Sequence, residues 1–222
     1  MKTLYILAIV LLFNSNLSIA KKPELTKTDS QSSFKITLLT KLIDSNVLQL
    51  ALKGYSKIQD SSSKKIAFLA IVDFSMSSTE KRFYLISMED TTLVHIDYVS
   101  HGKHSGDLFT NSFSNTKQSL KTSLGFYKVA ESYSGLHGLS LRLDGLDKGY
   151  NDNARERAIV MHAAAYAEPL VINELGRLGK SFGCPALPKK GFSIIADNIK
   201  SNAILFHYYP DEEYLKKCIW LR

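Results

Sequence analysis

Two side chains able to do nucleophilic chemistry follow one another along this chain. Cys184 lies in Lys180-Ser181-Phe182-Gly183-Cys184-Pro185-Ala186-Leu187-Pro188, and His162 closes the apolar segment Ala158-Ile159-Val160-Met161 upstream of it. The thiolate is the reactive form of cysteine, and a thiol with an ordinary pKa of about 8.5 needs a base or a cation beside it. Imidazole is the usual supplier, so Cys184 and His162 read as nucleophile and base. Glycine just before the nucleophile lets the backbone pass close by, with N–H groups free to face a developing oxyanion. The rival for Cys184 is a disulfide with Cys218, the other cysteine of the chain. Exported chains with two cysteines often pair them. Cys218 lies near the C-terminus, where chains fray, and the glycine and proline around Cys184 suit a positioned thiol, so the reactive thiol is the preferred reading.

Other polar residues have blander readings. His101 and His104, with Asp107, offer metal-ligand types, but they match no recognised ligand spacing and no further ligand completes one, so no metal and no cofactor is expected. His137 between Leu136 and Gly138 reads as an exposed turn residue, and His95 and His207 as structural histidines on strands. Arg142 and Asp144 fall on one side of a strand by period-two alternation and are expected to pair. Arg155 and Arg157, in the polar approach to His162, read as solvated or as fixing a loop.

Several elements must position the pair. Met1-Lys2 precedes the apolar run 4–13, and Ser18-Ile19-Ala20 offers small residues at a cleavage site, so residues 1–20 read as a secretory signal cut after Ala20. A membrane anchor would need about 20 apolar residues, and Asn14-Ser15-Asn16 interrupts this run. The protein is therefore expected to be exported, to the periplasm or cell envelope. Loss of the signal removes one lysine and no acid, taking the formal charge from +7 to +6. Such a balance favours association with anionic wall or membrane surfaces. The lysines are scattered, with no basic block or aromatic ladder, so no nucleic-acid partner is expected.

Residues 21–63 read as a polar lead and a helical segment broken near Asp44-Ser45-Asn46, and 211–222 as a C-terminal tail. Between them, strands are predicted over 66–73, 82–87, 92–99, 125–131, 139–143, 158–162 and 203–209, with helices over 168–175 and 189–199. Residues 100–122 form the longest aperiodic stretch, and loops of that length are functional or mobile.

At this point the residues resemble a known family. Val99-Ser100-His101-Gly102-Lys103, Ser123-Leu124-Gly125-Phe126-Tyr127, His162-Ala163 and Ser181-Phe182-Gly183-Cys184 together resemble the murein L,D-transpeptidase catalytic domain, the YkuD-like fold, over about residues 64–210. The resemblance implies a β-rich α+β fold, a β-sandwich with a few packed helices and an N-terminal helical lead-in. It also implies peptidoglycan stem peptides as substrate. Cys184 would displace the terminal D-residue of a donor tetrapeptide to form a thioester, which an amine then resolves. His162 would be the base, oriented by the Ala163 carbonyl. Gly183 and Cys184 N–H groups would make the oxyanion hole, and Ser181 would brace the loop.

The chain departs from the family pattern in three places. It has Ala163 where glycine is frequent, Phe182 where a histidine or lysine often stands, and Pro185-Ala186 where an arginine often follows the cysteine. Arg142, Arg177 or a lysine would then receive the donor carboxylate, His101 would sit on the pocket rim, and Tyr127 is a candidate for the substrate groove, with core packing as its ordinary reading. Two alternatives stay open: an L,D-carboxypeptidase or amidase using water as acceptor, and a non-catalytic wall-binding domain with a Cys184–Cys218 disulfide.

Overall fold

The computed structural model describes residues 38–222, so the expected signal peptide and polar lead lie outside the described residues. Helix α1 (Ser45–Asp60) begins where the Asp44 carboxylate accepts hydrogen bonds from the N–H groups of Asn46 and Val47, at 2.9 and 3.1 Å. The expected break at Asp44-Ser45-Asn46 is thus a helix N-cap. The buried face of α1, formed by Val47, Leu48, Ala51, Gly54 and Ile58, follows helical spacing. Gly54 is glycine because a Cβ there would run into the Phe126 ring, which stacks on Phe206 with centroids 4.1 Å apart.

Eight strands follow: β1 (Phe68–Asp73), β2 (Phe83–Ser87), β3 (Thr92–Asp97), β4 (Gly125–Gly135), β5 (Gly138–Gly145), β6 (Val160–Ala163), β7 (Ala186–Leu187) and β8 (Ala203–Tyr208). They form one sheet in the order β3-β2-β1-β8-β4-β5-β6-β7. The pairs β1–β8 and β6–β7 are parallel, and the other neighbours are antiparallel. The central strands are buried on both faces, and alternate residues divide between two cores. Helix α2 (Pro169–Leu175) follows β6. Leu69, Ile71, Ile204 and Phe206 face α1, whereas Ala70, Val72 and Leu205 face helix α3 (Lys189–Ile199). That helix offers Phe192, Ile195, Ala196 and Ile199, an i, i+3, i+4, i+7 stripe. Truncating Ile195 to alanine would cost about 2–5 kcal/mol, the usual penalty for emptying such a site.

The sheet curls until its edges meet. Past the end of β3, the Ser100 N–H donates to the Ala186 carbonyl of β7 at 2.8 Å. The architecture is therefore the β-rich α+β class expected, with a nearly closed sheet. Strand bounds agree with expectation to within a few residues. The larger difference is β4, which runs on to Gly135 and joins β5 through the two-residue tip Leu136-His137.

The segment read as a tail is packed. Helix α4 (Glu212–Lys217) is capped by Asp211, which accepts from the Tyr214 N–H at 2.7 Å, with acids in its first turn and lysines in its last. Tyr214, Cys218 and Leu221 enter the core beside α1. The expectation that Cys218 lies in a fraying end is thus corrected: it is buried.

The aperiodic stretch 100–122 is a fixed loop. The Gly102 N–H donates to Thr122 Oγ1 at 2.9 Å, and the Thr122 N–H to Ser105 Oγ at 2.8 Å.

Candidate active site

A two-residue strand brings Cys184 to His162. In the parallel β6–β7 pair, His162 faces Ala186 and Ala163 faces Leu187. Cys184 precedes Ala186 by two positions, so the same register sets it beside Val160. The Val160 N–H indeed points at Cys184 Sγ, 3.5 Å away. On the other side, β5 holds His162 opposite Ser140.

Imidazole orientation is fixed by one strong bond. His162 Nδ1 lies 2.9 Å from the Ala163 carbonyl oxygen, which can only accept, so Nδ1 carries the proton and Nε2 is the basic nitrogen. Tyr166 Oη stands 3.5 Å from Nε2. The ring of His137, at the β4–β5 tip, stacks on His162 with centroids 4.3 Å apart and planes 19° apart. Burial moves His162 below its usual range, with the nearby His137 adding to it and the Ala163 bond opposing it. Burial likewise pushes the Cys184 thiol up, opposed by the Val160 N–H and the Arg157 guanidinium. Burial thus favours the neutral form of both groups, the Cys184 thiol and the His162 imidazole.

The Cys184 turn is braced by Ser181. Its hydroxyl donates to the Cys184 carbonyl at 2.6 Å and accepts from the Gly183 N–H at 3.1 Å. This bears on the expected oxyanion hole. The Gly183 N–H is already engaged, whereas the Cys184 N–H makes no hydrogen bond to any described residue. Gly183 adopts φ +125°, a conformation that favours glycine, and a Cβ there would meet the Lys121 carbonyl at 2.8 Å.

Cys184 and His162 share a cavity of about 370 Å³ with Tyr133, His137, Arg157 and Tyr166. Ala158, Ile159, Val160, Lys180, Ser181 and Phe182 complete the wall, so it carries two cations and no carboxylate. Lys180 and Arg177 both pair with Asp107, at 2.6 and 2.8 Å.

The residues expected to bind substrate lie elsewhere. Tyr127 is fully buried in the core, its hydroxyl bonded to Ser123, so it cannot line a groove. His101 is buried behind the Cys184 loop and not on a rim. Its carbonyl accepts from the Ser181 N–H at 3.0 Å, and its Nδ1 takes a hydrogen bond from the buried Arg82 at 2.9 Å. Arg177 is tied to Asp107 outside the cavity wall. Arg142 lies over the Tyr133 ring, 4.5 Å from its centroid, and pairs with Glu131 rather than Asp144. Asp144 belongs to Arg155, which also holds Glu131. Both cysteines are free thiols, so no Cys184–Cys218 disulfide is formed.

Sequence reasoning missed His137, Tyr166 and Lys180 as cavity residues and placed Arg157 only in a loop. His137 carried a faint signal, because a two-residue hairpin tip flanked by Gly135 and Gly138 can fold back over a neighbouring strand.

A model of the L,D-transpeptidase catalytic domain matches residues 39–208, most of the chain. The chain belongs to this family. The match to the L,D-transpeptidase domain takes in α1, which the sequence reading set apart as a lead-in. Similar solved structures include an L,D-transpeptidase from Mycobacterium smegmatis, at 12% identity and TM-score 0.40, covering 65% of this chain and 59% of that one. An L,D-transpeptidase from Mycobacterium tuberculosis H37Rv gives 14% identity and TM-score 0.42, with coverages of 65% and 58%. L,D-transpeptidase 3 from Mycobacterium tuberculosis gives 13% and 0.42, with 65% and 62%. This L,D-transpeptidase-family chain thus spans about three-fifths of the length of those proteins. No curated protein sequence matches it.

Proposed function

We propose that the protein is an exported peptidoglycan L,D-transpeptidase in which Cys184 is the nucleophile and His162 its base. The observation that carries this reading is that the β6–β7 register places a free thiol in the same cavity as an imidazole whose basic nitrogen is unprotonated. The cavity wall adds to it, since it carries Arg157 and Lys180 and no carboxylate of its own, which suits a substrate ending in a carboxylate, although Lys180 also pairs with Asp107 outside the wall.

In the acylation step the Cys184 Sγ–H proton passes to His162 Nε2 as sulfur bonds to the carbonyl carbon ahead of the terminal D-residue. The Cys184 N–H faces the oxyanion that forms. Collapse breaks the C–N bond, the departing amine takes the proton from His162, and a thioester remains. An acceptor amine then attacks the thioester carbonyl and gives a proton to His162; a C–N bond forms, the C–S bond breaks, and His162 returns the proton to the Cys184 sulfur. Splitting one amide exchange into two easier steps is what the thiol contributes. Peptidoglycan is outside the cytoplasm, and the segment 1–20, outside the described residues, supplies the means of export.

The test is mass spectrometry of tetrapeptide muropeptides incubated with the protein and a free D-amino acid, beside Cys184→Ala. Exchange of the fourth residue by the wild type alone is the expected result. Loss of that residue without exchange would point to water as acceptor. No change with either protein would sink the reading.

A further inference from the structure

A partly buried guanidinium with no acid beside it is costly, because desolvating a charge is offset only by a partner of opposite sign or by dense hydrogen bonding. Arg157 is such a group. Its Nη1 donates to the Ser114 carbonyl at 2.7 Å and to Ser123 Oγ at 3.0 Å. Its Nη2 donates to the Lys121 carbonyl at 2.5 Å and to Ser119 Oγ at 3.3 Å. All four acceptors are neutral, and Arg157 forms no ion pair among the described residues. Arg155, two positions away, shows the ordinary alternative: it is exposed and held by Glu131 and Asp144. The free charge of Arg157 is also placed against the nucleophile. It lies on the wall of the Cys184 cavity, and a Cβ built on Gly183 would come within 3.4 Å of its Nη2.

We infer that Arg157 is a positioning charge for Cys184: its unpaired guanidinium, seated behind the Gly183-Cys184 turn, stabilises negative charge on the sulfur and on the oxyanion formed there. The oxyanion half rests on the proposed transpeptidase chemistry, whereas the thiolate half stands without it. With the Gly183 N–H engaged by Ser181, the oxyanion has only the Cys184 N–H beside it, so a fixed charge supplies what a second donor would. The other groups facing the sulfur do less in this direction. Lys180 shares Asp107 with Arg177. Burial disfavours the charged form of His162, on which the His137 ring stacks, and Tyr133 and Tyr166 carry no positive charge. Burial of the thiol is the opposing influence, and Arg157 works against it.

The decisive measurement is the pH dependence of Cys184 alkylation by iodoacetamide in the intact chain, read at the Cys184 peptide by mass spectrometry. Wild type, Arg157→Gln, Arg157→Lys and Arg155→Gln would be compared from about pH 5 to about pH 10. Loss of a nearby unit charge should raise the thiol pKa in Arg157→Gln and slow alkylation at neutral pH about tenfold. Arg157→Lys keeps the charge but not the four-bond fork, and should stay within about threefold of wild type. Arg155→Gln should match wild type. An unchanged thiol pKa in Arg157→Gln, whatever happens to transfer activity, would make Arg157 a loop brace only and overturn the proposal. If Arg157→Gln does not fold, Arg157→Lys decides: an unshifted thiol pKa supports the charge, and a tenfold slowing rejects it. Alkylation needs no substrate, so a wild type that fails to exchange muropeptides would sink the transpeptidase reading while leaving this result intact.

Discussion

The two thiols of this chain occupy opposite kinds of surroundings. Cys184 lies in an open cavity, with a backbone N–H and a guanidinium that lower its pKa against the effect of burial. Cys218 lies in the core beside α1, where its S–H donates to the Asp147 carboxylate at 3.1 Å and Tyr214 Oη donates to both, at 3.4 Å to its sulfur and 3.3 Å to Asp147. Asp147 also takes the Phe126 N–H at 2.6 Å, so this cluster ties the loop after β5 and the start of β4 to the C-terminal helix. Burial and the neighbouring Asp147 push Cys218 up to about 12. The same side chain is thus held as a permanent proton donor in one place and exposed to charge stabilisation in the other. What differs is the sign of the nearest fixed charge, carboxylate for Cys218 and guanidinium for Cys184.

The largest effect expected from this contrast is a crossed pair of alanine substitutions. Cys184→Ala should lower muropeptide exchange at least ~1000-fold while changing the unfolding free energy by less than about 1 kcal/mol. Cys218→Ala should leave exchange per folded molecule near wild type and cost about 1–3 kcal/mol, because a donor to the buried Asp147 is lost. Chemical denaturation and a transfer assay on both variants check this. Equal losses of activity would abolish the distinction between the two thiols.

Thiol labelling is a second, direct comparison. Native protein should take up one equivalent of alkylating reagent at Cys184 and a second only on unfolding, with rates differing at least ~100-fold. Fast native labelling at Cys218 would mean that the C-terminal helix opens readily, and the Asp147 cluster would not be a lock.

Acid should separate the regions again. His101 and His207 are held down to about 4 from an ordinary 6.5, chiefly by burial, with Arg82 also acting on His101. Between those values the unfolded chain binds protons that the native chain does not, so stability rises with pH across this window. Each histidine removes on the order of 3 kcal/mol as pH falls from 6.5 to 4, fully expressed only below 4. Denaturation curves with His207→Gln, compared with wild type at both ends of the window, measure it. His101 backs the Cys184 loop through the Ser181 N–H, so activity should fail irreversibly near the low end, after the reversible limb due to His162. That limb belongs below the ordinary histidine range, because His162 must be neutral to accept the thiol proton and burial keeps it so to lower pH. A limb in kcat/KM at or above 6.5 would contradict it.

How far the sequence revealed these two regions differs in the same way. The Cys184 side was largely legible, because its signals are local: glycine before cysteine, a histidine ending a strand, and a helix read over 189–199 whose bounds α3 matches. Its clamp was not, since β7 is two residues long and no periodicity shows in two residues. Closure of the sheet through Ser100 and Ala186, and the neutral shell around Arg157, depend on contacts between distant segments. The Cys218 side was misread as a tail although Asp211, two glutamates and two lysines mark a helix with both ends capped by charge. Six residues were too few to register as amphipathic, and Asp147 lies 71 positions from its cysteine partner. Tyr127 was misplaced because an aromatic in a strand looks alike whether its face meets core or groove.

Smaller substitutions sharpen the account of the Cys184 side. Ser181→Ala removes both the donor to the Cys184 carbonyl and the acceptor of the Gly183 N–H, and should lower kcat about tenfold with little change in the Tm. Freed from Ser181, the Gly183 N–H could turn toward the oxyanion, so a rise in kcat would show that Ser181 holds back a second donor.

Tyr166→Phe should do least. Its hydroxyl stands 3.5 Å from His162 Nε2, at the outer limit for a hydrogen bond, whereas the Ala163 carbonyl holds Nδ1 at 2.9 Å. The shorter bond sets both the ring orientation and the tautomer, so steady-state transfer should change by less than about threefold. A drop of ~100-fold would place the Tyr166 hydroxyl in the reaction path, where Nε2 meets the thiol proton. The contrast between the thiols would then need a third element, a phenol that helps carry the proton on one side and, in Tyr214, keeps it in place on the other.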